Sequence, residues 1–160
     1  MHPKSSYRTN LPDLMRIGFF LFLLLCVSTV AVAGEWWKIR IDTIPLEAEV
    51  VKTPQEQQMG LGNRFSLPSG QGMLFLYDHP GVRIFWMKRM NFPIDIIWIR
   101  KGRIVFIQEN IPPPEPDTPD TQLERYGQGV LADMVLEVPA GFVRNHGISF
   151  NSNLFIANRN

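Results

Sequence analysis

The sequence predicts a β-rich α+β domain, because short apolar or alternating runs recur along residues 34–160 while only two stretches carry helix signals. Three observations carry this. Trp37, Ile39 and Ile41 alternate with Lys38, Arg40 and Asp42, the period-two pattern of a half-buried strand. Lys101-Gly102 separates two β-branched runs, residues 94–99 and 104–107, as the connection of a tight hairpin does. Thr53-Pro54-Gln55-Glu56 starts a helix with a capping box, in which the Thr hydroxyl and the Glu carboxylate each satisfy an orphaned backbone N–H.

At the amino terminus, Lys4, Arg8 and Arg16 precede an apolar run over residues 17–32 that ends in Ala31-Val32-Ala33-Gly34. A basic flank, a short apolar run and an A-x-A site predict a signal peptide over residues 1–33. The chain is then periplasmic or secreted, and it touches the membrane only transiently. The alternative is an uncleaved segment that anchors it to the inner membrane, although the run is shorter than the roughly 20 residues a spanning helix needs. Cys26 follows Leu25 rather than a small residue, which disfavours lipidation. Cleavage would leave residues 34–160, 127 of the 160, as a single domain without cysteine and hence without a disulfide. Taking Lys4, Arg8, Arg16 and Asp13 from the chain's 16 basic and 15 acidic residues leaves 13 and 14. That balance offers nothing to nucleic acid or an anionic surface.

Along the domain, residues 35–42 and 46–50 read as two strands with a turn near Ile44-Pro45. The capped helix follows, and Gly60 and Gly62 limit it to about two turns. Residues 73–77 are continuously apolar, as in a central strand buried on both faces. Asp78-His79-Pro80-Gly81 predicts a turn, and residues 84–87 a further strand before the 94–99/104–107 hairpin. Five prolines between positions 112 and 119 exclude helix and central strand, leaving an extended crossover or a docking segment for a proline-binding partner. Residues 130–138 resume strand character. Residues 139–147 form a short helix closed by Gly147, with Arg144 and His146 where a helix end favours positive charge. Residues 154–157 form a last strand.

Recognisable catalytic constellations are missing. His79 and His146 belong to no metal-ligand pattern, no serine sits in G-x-S-x-G, and the G-x-G pairs at 60–62 and 70–72 lack a third glycine. No catalytic residue, metal or cofactor is therefore predicted. The unusual stretch is residues 85–99, where Asp95 interrupts an apolar run that also carries Trp86, Met87, Lys88 and Trp98. A carboxylate there needs a partner. The candidate ligand-binding residues are Arg64, Trp86, Met87, Lys88, Asp95 and Glu109, as a polar pocket with apolar walls. A structural ion pair between Lys88 and Asp95 is the competing reading.

Six segments, taken in order, resemble the DUF192 (UPF0127) family. They are Thr53-Pro54, Gly60-Leu61-Gly62-Asn63-Arg64, Gly72-Met73-Leu74-Phe75, Phe85-Trp86-Met87-Lys88, Pro93-Ile94-Asp95-Ile96 and Leu136-Glu137-Val138-Pro139-Ala140-Gly141. The resemblance covers about residues 46–148. It implies a strongly curved, partly barrel-like mixed sheet with two short helices, often exported or membrane-anchored, and no assigned activity. Gly62 and Arg89-Met90 stand where the family commonly has Met and Asn-Thr. The functional expectation is a non-catalytic periplasmic binding module for an unknown small ligand. The alternatives are an enzyme with Asp95 or Glu109 as general acid or base, or an accessory that docks on an envelope protein.

Overall fold

The computed structural model describes residues 34–159; the predicted signal peptide, with Cys26, lies outside them. Seven strands, β1 (Glu35–Ile41), β2 (Ile44–Val51), β3 (Gln71–Val82), β4 (Ile94–Arg100), β5 (Arg103–Ile111), β6 (Leu131–Pro139) and β7 (Leu154–Arg159), make one sheet in the order β5-β4-β6-β3-β2-β1-β7. Two short helices accompany it, α1 (Pro54–Met59) and α2 (Phe142–His146), with a 3-10 turn at Asp120–Gln122. The sheet is mixed, since β2 and β3 run parallel while every other pair is antiparallel. It stays open, with β5 and β7 at its edges; an isolated bridge joins Arg103 to Asn153 beside them. No helix among the described residues is long and apolar enough to cross a membrane.

The alternating residues of β1 do what their pattern dictates: Trp37, Ile39 and Ile41 are buried and Lys38 and Arg40 exposed. The β4–β5 hairpin turns on Lys101 and Gly102, both at positive φ (51° and 75°), the geometry of a type I′ turn, whose twist suits antiparallel strands. In α1 the capping box is complete: Glu56 N–H donates to the Thr53 hydroxyl, and Thr53 N–H donates to the Glu56 carboxylate.

Four features depart from expectation: the first turn falls at Asp42-Thr43, with Ile44 and Pro45 already in β2, and α2 begins at Phe142, with Pro139 still in β6. The predicted turn at residues 78–81 lies inside β3, where the pairing with β6 slips between Leu76 and Gly81. The predicted strand at residues 84–87 is a loop, with one isolated bridge that joins Phe85 to Tyr126 outside the seven strands. Its apolar residues serve as anchors instead. Phe85, Met87 and Met90 are buried against Phe75, Trp98 and Val135, so apolar character there reflects a loop pressed onto a sheet face rather than a ladder.

Strand alternation sorts the core into two clusters. Ile97, Ile99, Leu136 and Val138 join Phe142 and Val143 of α2 in one. Ile96, Trp98, Val135, Met73 and Phe75 join the loop anchors in the other. The second cluster lies under α1, the turn after it and the 85–90 segment, and there the candidate site forms.

Candidate functional site

Register places Glu49, Met73, Glu137 and Ile96 in one row across β2, β3, β6 and β4. Two carboxylates thus stand on either side of a methionine. Their fates differ. Glu49 receives a two-pronged guanidinium bond from Arg64, at 2.7 and 3.0 Å, the strongest geometry for an arginine–carboxylate pair. Glu137 is 5 % exposed, and its Oε2 has no hydrogen-bond partner. Burial pushes its carboxyl up to about 8, against a smaller downward pull from Arg64. At neutral pH it therefore carries a proton.

Above Glu137 lies a narrow recess of about 40 Å³, walled by Leu61, Phe75, Phe85 and Met90. The recess shares Gln58, Met59, Trp86 and Lys88 with an outer groove of about 330 Å³, to which Gln55 and Arg89 also contribute. Local structure holds these walls. Pro54 and the cap set the direction of α1, and Gln57 Nε2 ties the helix to the sheet by donating to the Leu76 carbonyl at 2.9 Å. The turn after α1 can lie against the 85–90 segment because residue 62 is glycine: a Cβ there would stand 2.9 Å from the Met59 oxygen and 3.3 Å from the Lys88 oxygen. Asn63 N–H then donates to the Arg89 carbonyl.

The six sequence-derived candidates do not meet. Trp86 and Lys88 line the cleft; Trp86 has the Arg125 guanidinium 3.8 Å from its ring centre, and Lys88 pairs with Asp120 at 2.5 Å. Arg64 is committed to Glu49. Met87 is buried in the core. Glu109 is exposed on the edge strand β5.

Neither the expected pocket shared by Lys88 and Asp95 nor the expected ion pair between them forms, since Lys88 pairs with Asp120 instead. Asp95 points to the other face of the sheet, is fully buried, and accepts from Asn110 N–H (2.8 Å), Gly141 N–H (3.2 Å) and Val143 N–H (2.9 Å). It is the partner of orphaned amides at the start of α2 and at the end of β5, a structural task that satisfies both its oxygens.

Glu137 was not among the candidates. Its neighbours Leu136 and Val138 are apolar, so alternation alone reads it as the solvated side of a strand. The available signal was its place in the Leu136-to-Gly141 segment. Among the described residues, no three His, Cys, Asp or Glu side chains gather as a metal site.

Residues 37–156 match the family model DUF192, described as an uncharacterised ACR. Among solved structures, the chain is similar to a Sinorhizobium meliloti 1021 protein provisionally described as a transcription regulator. The identity is 26 % over 78 % of this chain and 95 % of that one, with a TM-score of 0.65. It is also similar to a protein of unknown function from Novosphingobium aromaticivorans DSM 12444, at 24 % identity over 79 % and 89 % of the two chains and a TM-score of 0.66. No curated protein matches.

Proposed function

We propose that this chain, which belongs to the DUF192 family, is an exported, non-catalytic binding module that takes a small polar ligand in the cleft between α1 and the 85–90 segment. Glu137 carries the reading. A carboxyl that is 5 % exposed with an unpartnered oxygen costs the fold stability, and such groups concentrate where function retains them. Around it, apolar walls and a few convergent polar groups have the composition of a small-ligand site. The polar pocket expected around Lys88 thus has Glu137, not Asp95, as its acid.

A thermal-shift screen of the full-length chain against sugars, peptides, nucleotides, amines and metals tests this, because a ligand at 100 times its Kd stabilises by about 2.7 kcal/mol. The expected result is a shift that both Glu137→Gln and Trp86→Ala abolish while circular dichroism stays native. Hits that persist in both variants, or a silent screen, would overturn it. The same raised carboxyl favours one second reading, general acid–base catalysis from Glu137; chemical change of a bound hit would favour that over simple binding.

Export rests on residues 1–33. The expected observation is a mature amino terminus at Gly34 in the periplasmic or secreted fraction, read by mass spectrometry. A membrane fraction carrying the intact amino terminus would point to the anchored form.

A further inference from the structure

We infer that the cleft takes a small zwitterion, its primary ammonium group seated against Glu137 and its carboxylate held at the rim by Arg89. This rests on the binding reading above and names the chemistry of the ligand. Size sets the first constraint. The recess of about 40 Å³ is a few times the roughly 10–15 Å³ of cavity that one water needs, room for one compact head group.

Polarity sets the second. The floor is an acid with an open oxygen, and the walls include the aromatic rings of Phe75 and Phe85 and the thioether of Met90, surroundings that attract a cation. The N–H groups of Gly60 and Gly62 already donate to the Glu56 and Met59 carbonyls, so the turn lining the recess does not cradle an anion with them. The Arg64 guanidinium is occupied by Glu49. An ammonium group answers the floor, whereas a carboxylate would meet a second carboxyl there.

The outer groove reverses this polarity. The Gln55 amide and the Arg89 guanidinium line the groove alone, while Gln58 and Lys88 line both the groove and the recess. Asp120 neutralises Lys88. Arg89 is exposed and makes no ion pair among the described residues. Its backbone is fixed at a φ of 59°, with its carbonyl held by Asn63 N–H at 2.8 Å, an uncommon conformation for a side-chain-bearing residue that clusters at functional sites. Acid below and base above set the orientation of the ligand.

Binding is then linked to a proton. The buried carboxyl is protonated below about pH 8, so an entering ammonium group keeps its own protons and forces the Glu137 proton out to solvent. Affinity rises about tenfold between pH 6 and pH 7 on this account, one proton being released per ligand bound, and levels off near pH 8.

Calorimetric titration of the full-length chain in mild detergent, with glycine, β-alanine, γ-aminobutyrate and ε-aminocaproate beside butylamine and butyrate, tests the inference. One zwitterion of the series should bind at least about threefold more tightly than butylamine, as an exposed ion pair supplies, with butyrate silent. Arg89→Met, an exposed change that leaves the core untouched, should lower that zwitterion to the level of the amine. Glu137→Gln, checked for native circular dichroism, should remove both the binding and its pH dependence. Tighter binding of butyrate, affinity that falls as pH rises, an Arg89→Met variant equal to wild type, or silence across the zwitterions would each overturn it. If the zwitterions fail while a ligand of another class still requires Glu137, only the ligand chemistry is wrong. If no ligand of any class requires Glu137, the binding reading falls as well.

Discussion

Asp95 and Glu137 show how two acids in one sheet acquire opposite roles. Asp95 is surrounded by three backbone donors, so its charge is compensated and the fold depends on it. Asp95→Asn keeps the shape but turns an amide N–H₂ toward backbone donors; the expected loss is about 2–4 kcal/mol by urea denaturation, the scale of a broken hydrogen-bonded buried charge. Glu137 lacks such compensation, and the sign of its pH effect follows. Its folded carboxyl is raised from 4.5 to about 8, so between those values the folded state holds a proton that the unfolded state has released. Stability is therefore intact at low pH and falls as pH rises through that window, by up to about 1.4 kcal/mol per pH unit. In Glu137→Gln that part of the decline should vanish, and the variant should be more stable than wild type at pH 8. Urea midpoints at pH 5, 6.5 and 8 check this; parallel declines in the two proteins would contradict it. Neither role was legible from residue type, because both acids sit between apolar neighbours and only the covering elements distinguish them.

At the scale of elements, local sequence signals specify structure where the chain satisfies itself. The capping box of α1 and the Lys101-Gly102 hairpin involve residues a few positions apart, and both form as expected. Thr53→Ala should cost about 1 kcal/mol and, because α1 walls the cleft, should also weaken ligand binding; a chevron-free equilibrium melt with a parallel titration measures both. The loops were less legible. Residues 84–87 have the composition of a strand, yet Phe85 and Met87 are buried in the cluster of Phe75 and Trp98 while Ile84 stays exposed. Gly127 marks another such contact: it lies at a φ of 79°, and a Cβ would stand 2.5 Å from the Trp98 ring. Trp98 Nε1 donates to the Arg83 carbonyl at 2.7 Å in the same place. Gly127→Ala should therefore cost about 3 kcal/mol, through overpacking and a strained backbone together, seen as a lowered thermal midpoint. A midpoint like that of wild type would show that the loop yields freely.

For the whole molecule, a single mixed seven-stranded sheet separates a structural acid on one face from a site acid on the other. The sequence by itself determined the β-rich class, the alternating strands, the capped helix, the hairpin and the family, since each rests on short-range periodicity or on ordered local motifs. It also carried the expectation of an amino-terminal export signal. Tertiary structure alone decided which polar groups meet. Strand register brought Glu49 and Glu137 into one row and turned Asp95 away from Lys88, and the loops over that row excluded water from Glu137. The physical reason is that burial of a strand's polar face depends on what lies across it, and the covering α1, Gly62 turn and 85–90 segment come from positions some 50 to 80 residues earlier in the chain, beyond the reach of any local pattern.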